Sequence, residues 1–362
     1  MKVCIFGAGA VGGNAAARLI AAGEAEVSIV ARGAHLAAIR DRGLTLHTDG
    51  QTFGGKPHAA TDDPSTLPPQ DLVVVTLKAH SLPSIAAPLK ALLAPGAAAL
   101  FFTNGVPWWW NHGLSEEGSL PLLDPEGKLW RDLRPESVLG GVVYSANAVT
   151  EPGVITHSAG NRWIIGEPTG DISPRADAAA EVFRRAGLNG EVTTDIRKAM
   201  WEKLVLNIAA NPLCALSRLP LGRWHEVPGI GELGIAMIRE MLEVAKALGW
   251  DLTESVDPAA AVPARPGRPG GKPSMLQDAE AGRPMEVEAI VGQLQAFGRE
   301  HGVGTPAMDV VLKSSVHFRG DWQPYADSVV VGASPGAALD DTGVIPFQHL
   351  RPDVRRRPMS NQ

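Results

Sequence analysis

The strongest constraint on the fold lies at the N-terminus, in the stretch MKVCIFGAGAVGGNAAARLIAAG. The apolar run KVCIF leads directly into the glycine-rich hexapeptide GAGAVG, and an alanine-rich segment with helical spacing follows. A strand, a tight turn and a helix in this order place backbone N–H groups where they bind an anionic phosphate. The sequence therefore predicts a β-α-β unit with a dinucleotide site, against the alternative of a plain flexible glycine turn.

The predicted phosphate turn consists of Gly7, Ala8, Gly9, Ala10, Val11 and Gly12. In this fingerprint the first glycine permits the turn, the second lets a pyrophosphate approach, and the third allows close helix-strand packing. The second strand, EVSIVAR, ends in Arg32, at the place where an acidic residue would select NAD. A guanidinium suits a 2′-phosphate, so we expect NADP, with a solvated surface arginine as the alternative.

Two regions of different character divide the 362 residues, a length typical of two domains. Residues 1–194 alternate strand-like and helix-like segments and predict an α/β, Rossmann-like, doubly wound parallel sheet. Residues 195–316 predict a second, mainly α-helical domain, and residues 317–362 an irregular tail. The stretches with helical spacing in the second domain are 196–217, 229–249, 275–301 and 306–315.

Two segments interrupt this pattern. Residues 107–137 combine turn formers with four tryptophans and are interpreted as an insertion between strands. Loops of this kind often serve as lids, so we expect the aromatic side chains to shape the substrate mouth or a subunit contact. Residues 257–273 are rich in Pro, Gly and Ala, which favours a mobile loop inside the helical domain over a domain linker.

Charge and cysteine content argue against several classes of protein. The formal net charge is -6 with mixed signs, whereas nucleic acids and anionic membranes favour a basic surface. No uninterrupted apolar segment approaches the length of a membrane span. Cys4 and Cys214 lie in separate apolar runs, which predicts buried thiols in a reducing compartment and hence a cytoplasmic protein. The histidine spacing favours no metal site.

One predicted helix, WEKLVLNIAANPLCAL, carries a polar stripe on an otherwise apolar surface. Lys203, Asn207 and Asn211 recur every four residues and therefore share one side of the helix. A pocket for a polar ligand explains this stripe, and a lysine that reaches solvent or a water-filled seam are the alternatives. Pro212 predicts a kink or a helix end.

Two further polar residues follow predicted strands. Lys78 comes after DLVVVTL and Asn104 after AAALFFT, so both lie at the carboxyl edge of the sheet, where ligands bind. At this point a solvated lysine and an ordinary Asn-Gly turn are the better explanations.

The segment SMLQDAEAGRPMEVEAIVG contains the last candidates. Ser274 and Gln277 fit a helix capping box. Glu286 and Glu288 are two residues apart, so at most one of them faces a shared pocket, and the spacing does not choose between them.

Five motifs together resemble the ketopantoate reductases (2-dehydropantoate 2-reductases): GAGAVG, VTLKA, TNGV, KLVLNIAANPL and KPSMLQDAEAGRPMEVEAI. The resemblance covers roughly residues 1–315, apart from the tryptophan-rich insertion. It implies a Rossmann domain and a helical domain with NADPH and a small 2-oxoacid in the cleft between them. The implied reaction is hydride transfer from NADPH to the ketone of 2-dehydropantoate, which gives pantoate for pantothenate biosynthesis.

The resemblance also implies roles for single residues. Lys203 matches the catalytic lysine, and Glu286, rather than Glu288, matches the glutamate that completes the catalytic pair by binding the substrate. Arg32 and Lys78 match positions that bind the adenosine phosphate side of the cofactor, and Asn104 is expected to touch the nicotinamide as well as the substrate. The substrate-cleft positions are Asn104, Asn207, Asn211 and Ser274.

Two alternative functions stay open. One is a reductase of another branched or aromatic 2-oxoacid, with the tryptophans setting specificity. The other is a non-catalytic NADP-binding sensor or scaffold, which would need neither Lys203 nor Glu286. The sequence leaves the oligomeric state open, a homodimer included.

Overall fold

The computed structural model describes residues 1–262 and 271–316. The predicted tail, residues 317–362, lies outside the described residues, as do residues 263–270 of the Pro-Gly-rich loop. Those two predictions are therefore untested.

The described chain alternates strands and helices through its first half and is helical from residue 196 onward. The strands are β1 Lys2–Phe6, β2 Glu26–Val30, β3 Leu44–Thr48, β4 Gln51–Gly55, β5 Ala59–Thr61, β6 Gln70–Val75, β7 Leu93–Phe102, β8 Val138–Glu151, β9 Val154–Gly166 and β10 Asn189–Val192. The α-helices are α1 Ala10–Ala22, α2 Gly33–Arg42, α3 Ala86–Leu92, α4 Pro174–Arg185, α5 Ile196–Ser217, α6 Ile230–Ala247, α7 Pro258–Ala261, α8 Ser274–Glu280, α9 Gln293–Glu300 and α10 Pro306–Val316.

All ten strands belong to one sheet. From the edge strand β5 inward, the order is β5-β2-β1-β6-β7-β8, and every neighbouring pair in this series is parallel. This is the doubly wound order in which a crevice opens between the first strand and the strand on its other side, here β1 and β6. The predicted α/β class is confirmed, but the sheet is mixed rather than purely parallel, because β9 runs antiparallel to β8 and β3 and β4 form a hairpin.

The sheet separates two hydrophobic cores, because side chains alternate between the faces of each strand. Val3 and Ile5 of β1 point into the core beneath α1 and α4. Cys4 and Phe6 point into the other core, which also contains the buried faces of α5, α6, α8 and α9. The sheet and the helical half therefore share a core. Cys4 and Cys214 are both buried in it as free thiols, as predicted, and burial raises the pKa of Cys4 to about 12.

The long helix α5 has the predicted bounds, but two details of the helical half differ from prediction. Pro212 does not end α5, which continues to Ser217. The predicted helix over 275–301 is broken after Glu280 by the segment Ala-Gly-Arg-Pro, and it resumes as a π-helical turn at Glu288–Gly292 followed by α9. Gly282 and Pro284 account for the break. In the described part of the chain, no helix is long and apolar enough to cross a membrane.

Candidate active site

The turn between β1 and α1 lies against the loop that follows β6, since a Cβ at Gly7 would meet Leu77. Gly7 has a φ of +103°, and its carbonyl accepts a hydrogen bond from Thr76 Oγ1. A Cβ at Gly12 would lie 2.2 Å from the Gly7 oxygen, whereas a Cβ at Gly9 would meet nothing within 4 Å. The first and third glycines are thus required by the turn and its packing, and the second leaves open space at the helix N-terminus. These residues fit a dinucleotide pyrophosphate.

The other predicted cofactor residues surround this turn. Ala10 begins α1, and Val11 follows in its first turn. Arg32 is exposed between β2 and α2. In that position its guanidinium is accessible to a 2′-phosphate, so its role stays a prediction.

One residue that the sequence analysis missed holds the glycine turn in place. His35 Nδ1 accepts a hydrogen bond from the Gly153 backbone N–H at 3.1 Å, so the ring hydrogen is on Nε2. Nε2 then donates to the Ala8 carbonyl at 2.7 Å. His35 therefore ties the phosphate turn to α2 and to the β8-β9 turn. A histidine inside a surface helix gave no sequence signal of this contact.

A chain of hydrogen bonds joins the predicted catalytic residues. Lys203 Nζ donates to Asn104 Oδ1 at 2.8 Å, and Asn104 Nδ2 donates to Glu286 Oε2 at 3.3 Å. The buried Glu286 also accepts from the Ala79 backbone N–H at 3.1 Å. The amide oxygen of Asn104 thus accepts a hydrogen bond from the Lys203 ammonium, and the amide nitrogen donates one to the Glu286 carboxylate. The structure brings Lys203, Asn104 and Glu286 together, and it places Glu286 in the cluster as the resemblance implied.

The surroundings of Lys203 make it a better acid than an ordinary lysine. Burial of the ammonium lowers the pKa of Lys203 to about 8, although the negative charge of Glu286 raises it in part. At neutral pH the residue is still mostly protonated. It can therefore donate a hydrogen bond or a proton to an oxygen that acquires negative charge.

Asn104 is fixed by a close approach between the sheet and the helical half. The loop after β7 contacts the π-helical turn, where the Val106 backbone N–H donates to the Ala289 carbonyl at 2.8 Å. Gly105 has a φ of +81°, and a Cβ there would lie 2.2 Å from the Ala289 oxygen. Only glycine fits this position, so the Asn-Gly pair is more than an ordinary turn.

Lys78 lies in the same cluster. Its Nζ is 2.5 Å from Asp278 Oδ2 and 3.5 Å from Glu286 Oε2. Arg32 follows β2 and Lys78 follows β6, and β1 lies between those two strands. The carboxylate partner of Lys78 is supplied by α8. The expected role of Lys78 on the adenosine phosphate side of the cofactor stays a prediction. The sequence analysis missed Asp278, since a carboxylate on a short helix is usually solvated.

The remaining polar residues of α5 are placed differently. Asn207 is partly exposed, one turn beyond Lys203. Asn211 is buried, and its Oδ1 accepts from Ser274 Oγ at 3.1 Å and from the Met275 backbone N–H at 3.2 Å. The polar stripe thus faces the β7 loop at one end and α8 at the other.

The predicted capping box at α8 is wrong. The residue before the helix is Pro273, no side chain caps it, and Ser274 is the first helical residue. The Ser274 hydroxyl is oriented toward α5 by its bond to Asn211, and the Gln277 amide donates to the Lys272 carbonyl at 2.8 Å. Ser274 therefore links two helices instead of closing one.

Three of the four tryptophans of the insertion are buried, and Trp130 is partly exposed. Trp108, Trp109 and Trp110 are each at most 2% exposed. The Trp110 ring packs against Trp201 of α5 with centroids 5.5 Å apart. Arg197 fixes the segment by donating to three carbonyls, those of Trp110, His112 and Pro168.

One of these rings, that of Trp109, lies near residues that flank Asn104 and precede Lys203. Trp109, with Thr103, Gly105 and Met200, lines a cavity of about 10 Å³, which has room for about one water molecule. Thr103 and Gly105 flank Asn104 in the chain, and Met200 precedes Lys203 by one turn of α5. The insertion therefore packs in the core next to the segments that carry Asn104 and Lys203.

Comparisons with known proteins give a consistent assignment. Residues 3–170 match the model of a family described as ketopantoate reductase PanE/ApbA, and residues 195–315 match the model of its C-terminal part. The 2-dehydropantoate 2-reductase of Mesorhizobium japonicum is 41% identical over 86% of this chain and 96% of its own length. That of Halobacterium salinarum is 30% identical over 85% and 95%. The crystal structure of 2-dehydropantoate 2-reductase from Geobacter metallireducens GS-15 is similar with a TM-score of 0.75 and 28% identity, and the match covers 88% of this chain and 99% of that one.

Proposed function

Because the chain belongs to the ketopantoate reductase family, we propose that it reduces 2-dehydropantoate to pantoate with NADPH. The five motifs predicted this family. The observation that carries the proposal is the hydrogen-bonded chain of Lys203, Asn104 and Glu286.

Lys203 is proposed as the general acid. NADPH, when bound, supplies the hydride. As the carbonyl carbon of the substrate is reduced, its oxygen becomes an alkoxide, which an ammonium within hydrogen-bond reach stabilises and then protonates. The pKa of Lys203, lowered to about 8, suits this transfer near neutral pH.

Neighbouring residues are proposed to bind and orient the substrate. Glu286 accepts a hydrogen bond from the substrate hydroxyl, and Asn104 holds the Lys203 ammonium. A site built to receive that hydroxyl discriminates strongly against analogues that lack it. Asn207, one turn from Lys203, supplies an uncharged amide to hydrogen-bond the substrate. Asn211 and Ser274 are hydrogen-bonded to each other, so their proposed role is to hold α8 in position beside α5.

The test measures NADPH absorbance with purified protein and ketopantoate. We expect turnover, and we expect Lys203→Ala to lower kcat at least about a hundredfold, the scale of a lost general acid. Lys198→Ala, an exposed lysine on the same helix, is the matched control and should keep full activity. An unchanged kcat in the Lys203 variant would contradict its role. Turnover of another oxoacid without turnover of ketopantoate would contradict the substrate.

The alternatives give different results in the same experiment. Trp108, Trp109 and Trp110 are in the core, so these three rings offer no exposed aromatic wall to favour an aromatic 2-oxoacid. A sensor would bind NADPH tightly with no turnover across an oxoacid panel. A cytoplasmic location and a homodimer are the finer parts of the proposal, and light scattering of the purified protein would distinguish a homodimer from a monomer.

A further inference from the structure

Asp278 is a buried carboxylate that the proposed reaction does not use. It lies on α8 between two cations, with Lys78 Nζ at 2.5 Å from one oxygen and Arg283 Nε at 3.1 Å from the other. Arg283 is on the solvent side, with 59% of its side chain exposed. Lys78 lies in the loop that follows β6, at the carboxyl edge of the sheet.

The ammonium of Lys78 has three N–H donors and no acceptor. One donor is directed to Asp278, and a second carboxylate, Glu286, lies 3.5 Å away. The side chain is nevertheless 35% exposed. One N–H is therefore left for a ligand in the crevice where the glycine turn also opens.

We propose that Asp278 is a positioning residue that holds the Lys78 ammonium at this crevice, so that its remaining N–H donates to bound NADPH. This inference rests on the proposed function only for the identity of the ligand. A lysine side chain is a flexible four-carbon stem, and ordering it on binding costs affinity. Asp278 orders Lys78 in advance.

Competition between Asp278 and NADPH for Lys78 would change the affinity in the other direction. A carboxylate that merely competed with the cofactor for Lys78 would weaken NADPH binding, and its removal would tighten binding. The direction of the change in Kd therefore decides between positioning and competition.

The experiment titrates the full-length protein with NADPH and follows cofactor fluorescence, with no substrate present. We expect Asp278→Asn to raise the Kd about three- to tenfold, the range for one side chain that must be ordered. Asp278→Glu keeps the charge and should restore most of the affinity. An unchanged or lower Kd in Asp278→Asn overturns the proposal, and thermal melting identifies a variant that does not fold.

A double-mutant cycle separates positioning from a general role in α8. In a Lys78→Gln background, Asp278→Asn should add no further loss, because the residue that it positions is already gone. Arg283→Gln, the matched control, removes the other partner of the same carboxylate and should change the Kd less than about twofold. Additive losses, or a loss in the Arg283 variant equal to that of Asp278→Asn, overturn the proposal.

Failure of the proposed function gives a different result. Wild-type protein that binds NADPH but does not turn over ketopantoate contradicts the substrate assignment and leaves the affinity comparison interpretable. Wild-type protein that does not bind NADPH overturns the inference itself.

Discussion

Replacement of Glu286 by Gln should shift the alkaline limit of activity to lower pH. Lys203 must be protonated to act as an acid, and its pKa of about 8 combines lowering by burial with partial raising by Glu286. The substitution removes the second influence and keeps the first, so the pKa of Lys203 falls. Activity is full below that pKa and is lost above it. The variant should therefore lose activity at a lower pH than the parent.

The size of the shift follows from the geometry. The hydrogen bonds of 2.8 and 3.3 Å on either side of the Asn104 amide link the ammonium to the carboxylate. The charges are then on the order of 7 Å apart, and Coulomb's law with an effective dielectric constant of about 20 gives roughly 2.4 kcal/mol. The charge of Lys78, 3.5 Å from Glu286, offsets part of this attraction and leaves about 1.4 kcal/mol, or about one pH unit.

The assay is kcat/KM for ketopantoate as a function of pH. Glu286→Gln is also expected to lower the plateau, because the residue is proposed to bind substrate, so the position of the alkaline limb is the informative quantity. Glu288→Gln, two residues further on, is the control and should leave the limb in place. An unmoved limb in the Glu286 variant, or the same shift in both variants, would refute the reasoning.

Three further predictions concern the fold and the cofactor site. Gly12→Ala should lower the free energy of unfolding by about 1–3 kcal/mol in urea denaturation, because its Cβ meets the Gly7 carbonyl. Gly9→Ala should keep the stability of the fold and weaken NADPH binding. The same loss of stability in both variants would argue against this division of roles. Arg32→Ala should reduce the preference for NADPH over NADH about tenfold or more, and an unchanged ratio would mean that Arg32 is merely solvated. Arg197→Met should cost about 3 kcal/mol of stability because three carbonyls lose their donor, and an unchanged denaturation midpoint would contradict that.

Local pattern predicted the elements whose signal is long or chemically specific. The bounds of α5 follow from apolar spacing over 22 residues, and the β1-α1 unit follows from a strand that meets a glycine turn. The β3-β4 hairpin was missed although Asp49-Gly50, with φ of 46° and 73°, is a typical two-residue hairpin turn. The break after Glu280 was missed because helical periodicity continued beyond Pro284.

The site was harder to predict, because its contacts join distant parts of the chain. The spacing of Lys203, Asn207 and Asn211 gave their common side but none of their partners. Pattern gave Asn104 only as a residue that follows a strand, and it left Glu286 and Glu288 as alternatives. The family resemblance gave Asn104 and Glu286 their expected roles. The burial of Trp108, Trp109 and Trp110 was not predicted, since turn formers surround them in the sequence, whereas their burial depends on rings and on Arg197 supplied by α5.

The hydrogen bonds of the catalytic cluster have a consequence for how the protein is made. They join residues separated by 99, 182 and 207 positions along the chain. Contacts of such long range form late, because loop closure costs entropy that only the assembled structure returns. During synthesis the sheet emerges first, with Asn104 and the Ala79 N–H lacking their partners, until the segment after α8 leaves the ribosome. Recovery of activity would therefore report completion of folding, because activity requires the contacts that form last.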